Sequence, residues 1–434
     1  MFSKEYANQS GKSRTPLHAC SLLRDEMPDC AFYSTPDHTE TMAAYVDAVA
    51  AELQPWTRRL APRTIFFGGG TPSLLPPPLL RQLCDSLRQF ITPSGGQGSR
   101  RADGVLSSAN GSAGAPTGVA SPSRTSPSNA IPMQVDAVPE IVEWTVECNP
   151  ATVSPEKMAV FKAAGVNRIS LGVQSLEDSL LLTLGRIHTA ETALATYRAL
   201  RAAGFDNLNL DLMFGLPGQT LEQWRTTLVR AIELQPEHFS TYCLSFEEDT
   251  EFFKLFQAGH LQHHAERELA MYELAIETLA AAGYHQYEIS NFAKPGRECR
   301  HNIAGWEGRD YLGLGPSACS TVAGRRWQNI ANIDQYVDGW RASLPASRAA
   351  SVPLEPRPPV IEFAEHVSET MRAAERMAFG MRMNAGVPAE VVRGRWDQQV
   401  SELLAAELVE WHAGRLQPTK RGILFADEVA AVFV

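Results

Sequence analysis

The chain has 434 residues, a hydrophobic share of 44%, a formal net charge of −10 and a sequence pI near 5.6. That length accommodates one large domain and a smaller one, and the acidic balance argues against a general nucleic-acid binder, which needs a basic face. No stretch approaches the roughly 18 uninterrupted apolar residues of a membrane span. Seven scattered cysteines, an odd number, do not form a disulfide framework and point to a reducing compartment. The N-terminus carries Lys4, Lys12, Arg14 and several serines but no apolar signal core. The expected location is the cytoplasm, with an organellar matrix as the alternative for a eukaryotic source.

From about residue 40 to 250 strand-like and helix-like segments alternate. Met42–Leu53 reads as an amphipathic helix, Thr64–Phe67 as a strand and Pro77–Phe90 as a helix. Thr92 to Val138 is rich in Ser, Gly, Ala and Pro without an apolar face, and is read as a disordered insertion, 92–138. Ile141–Glu147 is a strand, followed by a helix over Ser154–Ala164 with Ser154 as N-cap. Strands at Arg168–Leu171, Asn207–Phe214 and His238–Leu244 alternate with helices near Ser175–Leu184, Glu191–Ala203 and Leu221–Leu234. Repeated βα units with glycine at helix ends imply an α/β fold with a parallel sheet covered by helices. A Pro-rich break, 344–359, precedes helical patterns at His366–Met383, Ala389–Arg395 and Val400–Leu408. A final strand, turn, strand and helix resemble a winged helix. Its basic residues Arg415, Lys420 and Arg421 are too few for DNA binding, so it is read as a packing domain.

The most informative run is TIFFGGGTPSLL, Thr64 to Leu75, a short strand that breaks into Gly68-Gly69-Gly70-Thr71. Glycines after a strand leave backbone N–H groups open to a ligand such as the amino-acid end of a cofactor. Glu147, Gln174 and Asp211 fall on successive predicted strands, where parallel α/β folds place ligands, and Arg186 follows one helix later. Taken singly, Glu147 also reads as a capping carboxylate, and Arg186 as a partner of Glu177 or Asp178. His188 reads as structural, and Cys84, Cys148, Cys243, Cys299 and Cys319 as small buried residues.

The strings FFGGGTPSLL, VECNP, NRISLGVQSLEDSLLLTLGRIH, LNLDLMFGLPGQTLEQW and GYHQYEISNFAKPGRECRHN closely resemble the radical S-adenosylmethionine (SAM) superfamily. Within it they look like the branch of oxygen-independent coproporphyrinogen III oxidase (HemN) and the heme chaperone HemW. The resemblance runs from about Cys30 to the C-terminus and implies a parallel, partial β/α barrel with a C-terminal α+β, winged-helix-like domain. It divides the chain into an atypical N-terminus (1–29), a core (30–250), an extension of that core (251–343) and the C-terminal domain (360–434). It assigns Gly69, Gly70 and Thr71 to the methionine end of SAM, and Glu147, Gln174, Arg186 and Asp211 to the rest of that pocket. YEISNFA followed by His301-Asn302 and Trp306 looks like the heme-chaperone branch, with Gly305 in place of its tyrosine. His301 is then the candidate axial heme ligand, or equally a hydrogen-bonded loop histidine.

One motif is broken. The superfamily holds a 4Fe–4S cluster with C-x3-C-x2-C, and CAFYS (Cys30 to Ser34) resembles its end, but the other two positions are Leu23 and Met27. Neither supplies a thiolate. Either the cluster is lost or residues 1–29 come from a wrongly assigned start or splice, which the abrupt onset of agreement at Cys30 favours. The expected function is a heme chaperone that binds heme and SAM and delivers heme to acceptor proteins. The alternatives are a radical SAM coproporphyrinogen III oxidase, whose chemistry needs all three cysteines, or a cluster-less relative.

Overall fold

The computed structural model describes residues 39–56, 60, 62–69, 71–91, 141–248, 250–343 and 360–434. Cys30, Leu23, Met27, Gly70, the 92–138 insertion and the 344–359 break lie outside the described residues.

In the first half the expected alternation is observed: α1 (Thr39–Leu53), β1 (Thr64–Phe67), α2 (Pro77–Ile91), β2 (Glu143–Cys148), α3 (Pro155–Ala164) and β3 (Arg168–Gln174). Then come α4 (Asp178–Thr183), α5 (Ala190–Ala202), β4 (Leu208–Phe214), α6 (Leu221–Glu233) and β5 (His238–Cys243). Local chemistry sets these boundaries. Ser154 caps α3 by accepting the Lys157 N–H, and Gly165 ends it in the left-handed region at φ 97°. Thr220 and Gln223 form a capping box at α6.

The chain continues through α7 (Glu251–Gln257), α8 (Ala265–Ala281), β6 (His285–Glu288), β7 (Asn291–Ala293), α9 (Arg300–Trp306), β8 (Cys319–Val322), β9 (Arg325–Asn329) and α10 (Ile333–Ser343). The strands β1 to β5 are parallel neighbours, and β7 and β6 extend the sheet antiparallel in the order β1-β2-β3-β4-β5-β7-β6. β1 and β6 are opposite edges, so the sheet is a partial barrel rather than a closed one.

The register divides the sheet into two chemically opposite faces. Phe67, Val146, Leu171, Leu210 and Phe239 point outward into the main apolar core beneath the helices. The alternate positions, Thr64, Glu143, Glu147, Arg168, Ser170, Asn209, Asp211, His238 and Ser240, share the inner face. Parallel strands buried on both faces usually read as unbroken apolar runs, so this alternation marks a polar interior.

The first strand after the Pro-rich break is β10 (Ile361–His366), and it pairs antiparallel with β9 in a second sheet, β10-β9-β8. The helix expected to begin at His366 therefore starts later, as α11 (Glu369–Gly380), because Ser368 caps it and the preceding residues are paired as a strand. The remainder is β11 (Val387–Pro388), α12 (Ala389–Val392), α13 (Asp397–Ala405), β12 (Val409–His412), β13 (Arg415–Pro418), α14 (Lys420–Leu424) and α15 (Ala426–Ala431). The third sheet, β11-β13-β12, packs with these helices around a separate core that includes Met377, Leu403, Leu416 and Phe433. This is the expected winged-helix-like order. Among the described residues, no helix is long and apolar enough to cross a membrane.

Candidate functional site

The inner face has two levels. At the upper level the glycine loop after β1 meets Glu147 of β2: the Gly69 N–H donates to Glu147 Oε2 at 3.3 Å. A Cβ on Gly68 would lie 2.9 Å from the Glu147 carboxyl carbon and overlap the Phe66 ring, so only glycine permits this approach. Asp211 accepts from the Ser170 hydroxyl at 3.0 Å and from Asn209 Nδ2 at 2.7 Å. Burial and then the neighbouring Asp211 charge push the Glu147 carboxyl up to about 8, and burial also raises Asp211.

Gln174 closes β3 at φ 63°, where the pairing with β4 slips by a residue. A Cβ on Gly172, the strand partner of Asp211, would stand 3.0 Å from Gln174 Nε2. A non-glycine residue in the left-handed region beside a register shift is one of the ways a strand re-aims a side chain at a ligand. Thr71 is buried at the start of a short turn, Pro72–Leu74, which Lys157 ties to the loop after β2 through the Ser73 and Thr152 carbonyls. Arg186 is half-buried between α4 and α5. Its charge acts on His188, whose Nε2 bonds the Val173 carbonyl beside Gln174. Thus Gly69, Glu147, Asp211 and Gln174 converge, while Arg186 sits in the segment between α4 and α5, near His188. The Glu177 carboxylate is 3.9 Å from Arg230, and Asp178 accepts the Ala190 N–H.

Two adjacent desolvated carboxyls suit a ligand that brings positive charge and hydrogen-bond donors. SAM, with a sulfonium, an ammonium and ribose hydroxyls, has that character, and the Cβ-free loop leaves main-chain groups for its carboxylate end.

Of the lower level, only His301 was anticipated. At the N-terminal ends of the same strands, α9 covers the inner face, and His301 is buried there at 8% exposure. Its ring stacks on Phe66 at 4.8 Å, and its Nδ1 lies 2.9 Å from the Thr64 hydroxyl. Burial lowers the imidazole to about 4, so it is neutral at physiological pH, and the buried Nε2 has no hydrogen-bond partner among the described residues. Thr64 to Gly68 is four steps along β1, about 13 Å at a strand's rise. Thr64 and the glycine loop therefore lie at opposite ends of β1, and the Phe66 ring between them touches both His301 and the Gly68 position.

A buried polar chain joins the levels. Asn209 Nδ2 donates to Asp211, and Asn209 Oδ1 lies 2.6 Å from His238 Nδ1. His238 Nε2 lies 2.8 Å from the Tyr287 hydroxyl, which accepts the Cys299 N–H at 3.3 Å. Burial holds His238 well below the usual imidazole range, so its neutral ring donates through Nδ1 to Asn209 and accepts from Tyr287 through Nε2. Arg168, 2% exposed, acts electrostatically on Cys299, Glu143, Tyr287 and Asp211. The sequence signal for these residues was polar alternation within the strands: Glu143-Thr145-Glu147, Arg168-Ser170 and Asn209-Asp211. Among the cysteines expected to be buried, Cys84, Cys148 and Cys299 are so, but Cys319 is half-buried and Cys243 is exposed at the end of β5.

The donor set at positions 23, 27 and 30 is Leu, Met and Cys. One thiolate, an alkyl group and a thioether do not fit a three-thiolate 4Fe–4S cluster.

The Radical SAM superfamily profile matches residues 30–231, and the HemN C-terminal domain profile matches residues 367–425. The chain is 32% identical over 381 residues to the heme chaperone HemW of Bacillus subtilis, covering 86% of this chain and 85% of that protein. It is 30% identical over 388 residues to heme chaperone HemW of Escherichia coli, covering 86% and 84% respectively. Among solved structures, coproporphyrinogen III oxidase (HemN) from Escherichia coli superimposes with a TM-score of 0.70 at 19% identity, over 95% of this chain and 88% of that one. At that identity the likeness is one of fold.

Proposed function

The chain belongs to the HemW family of the radical SAM superfamily, and from that premise we propose that it is a heme chaperone, binding heme and SAM and passing heme to acceptor proteins. The observation that carries the reading is His301: a neutral, buried imidazole whose Nδ1 is engaged by Thr64 and whose Nε2 has no hydrogen-bond partner among the described residues. An imidazole with its Nδ1–H engaged keeps the Nε2 lone pair for iron. Gly68, Gly69, Thr71, Glu147, Gln174 and Asp211 would hold SAM toward the C-terminal ends of the strands, together with Gly70 and Arg186. SAM contributes a positively charged sulfonium there. The protein's part is to desolvate the two acids that face it and to keep Glu147 protonated until the cation arrives.

The oxidase alternative needs a reduced cluster to cleave SAM, and Leu23 and Met27 stand where two of its thiolates belong. A heme titration followed at the Soret band, comparing His301→Ala with the unaltered chain, tests the chaperone reading. The expected result is a shifted band and binding weakened by about tenfold or more, the scale of losing one coordinate bond's net contribution. Identical band position and affinity would remove His301 as the ligand.

A further inference from the structure

We propose that the groove between the C-terminal end of α9 and the first helix of the HemN C-terminal domain binds the paired carboxylates of a porphyrin, its two propionates. The groove encloses about 450 Å³ and is lined by Arg309, Arg372, Arg376 and Arg395, with Glu307 and Glu369. A neighbouring hollow of about 320 Å³ shares Ala373, Arg376 and Arg395 and adds Glu390 and the apolar surface of Pro388 and Val391.

Two of the four guanidinium groups are already engaged: Arg309 pairs with Glu307 at 2.6 Å, and Arg372 with Asp310 at 2.5 Å. Among the described residues neither Arg376 nor Arg395 forms an ion pair with a carboxylate. The result is two planar donors without an ion-pair partner among the described residues, lining one groove beside Glu307 and Glu369. Guanidinium forks match carboxylates bidentately, so this arrangement fits a dicarboxylate better than a single point anion.

The groove is assembled by tertiary contact. Gly308, at φ 65°, leaves no room for a Cβ, which would stand 2.9 Å from Arg376 Cγ. The loop after α9 is thereby laid directly against the Arg376 stem. Next to it Trp306 packs edge-on to Phe379 at 6.3 Å, and the Arg382 guanidinium lies 5.1 Å over the Trp306 ring. The helix that carries His301 at one end thus presents this groove at the other. Seven residues of α-helix span about 10 Å, a separation comparable to that between the centre and the acidic edge of a porphyrin.

The inference rests on the heme-binding reading, and its test separates the two. The full-length protein and the Arg376→Glu/Arg395→Glu double variant are titrated with ferric protoporphyrin IX and with its dimethyl ester, in which both propionates are blocked. Binding of the free acid by the double variant is expected to be weaker by about tenfold or more, with the Soret position unchanged, as for lost charge-assisted contacts. The ester is expected to bind both proteins alike and weakly. An Arg376→Ala/Arg395→Ala variant, with its thermal midpoint, controls for folding and is expected to show a smaller loss. Equal affinity of wild type and both variants for the free acid overturns this inference and leaves the chaperone reading standing. Failure of the wild type to bind either porphyrin overturns both.

Discussion

Glu143 and His301 are separated by 158 positions in the chain, yet Glu143 Oε1 accepts the His301 backbone N–H at 3.1 Å. The same oxygen takes the Cys299 thiol at 3.3 Å, and Oε2 takes the Arg300 N–H at 2.9 Å. One carboxylate on the first residue of β2 therefore satisfies the opening turn of α9, where helical N–H groups have no internal partner. It holds the backbone of His301, while Thr64 and Phe66 hold the imidazole.

Glu143→Ala removes that acceptor and leaves Arg168 facing an emptied position. The variant should lose about 2–4 kcal/mol of stability in a urea titration, the range for breaking a buried charged network. Heme binding should weaken with it, because the ring is no longer held against Phe66. Unchanged stability would mean that α9 is seated by its other contacts alone.

The pH dependence follows from opposite shifts at the two levels. Glu147 is raised to about 8, so between its unfolded value near 4.5 and 8 the folded state holds the extra proton. Stability is then lost as pH rises through that window, by at most about 1.4 kcal/mol per unit for one proton. Glu52, raised to about 7 by burial and tempered by bonds from Tyr336, Gly315 and Asn329, acts in the same direction. His301, lowered to about 4, contributes stability present above its unfolded value near 6.5 and lost as pH falls toward 4. The shifts oppose one another below about 6.5, so the steepest decline should fall between about pH 6.5 and 8. Glu147→Gln should flatten it in denaturation curves collected across that range, and a slope identical to wild type would show that the acid does not titrate there.

Gly68→Ala tests the loop. The added methyl meets both the Glu147 carboxyl, at 2.9 Å, and the Phe66 ring. Overpacking of this kind costs about 1–3 kcal/mol. Calorimetric titration with SAM should show binding reduced by tenfold or more, against near-normal binding for alanine at the open Gly218 only if that strained backbone is tolerated. Since Gly218 sits at φ 76°, an Arg81→Ala change on exposed α2 is the cleaner control. Wild-type affinity in Gly68→Ala would detach the loop from cofactor binding.

Much of the candidate site was legible because its signals are local. The glycine run after Thr64–Phe67 could be read without knowing what it faces, and Ser154 announced a helix by its own side chain. Glu147, Gln174 and Asp211 were placed on strands by their apolar neighbours. Of the lower level only His301 was read, although Glu143, Arg168, Asn209 and His238 alternate with apolar residues in those strands. Alternation says that a strand has two unlike faces, but not that the polar one is enclosed. The strand Ile361–His366 was missed for a related reason: its partner, Arg325–Asn329, lies across the Pro-rich break.

By itself the amino-acid order determined the βα rhythm, the helix caps, the glycine loop and the kinship of the chain, since each is written in neighbouring residues. Only the tertiary structure decided that His301 and the glycine loop meet either side of the Phe66 ring, that Glu143 seats the helix of His301, and that four arginines line one groove. The physical reason is that strand register and helix packing are set by burial summed over the whole core. That sum brings together polar groups whose separation along the chain carries no trace of their contact.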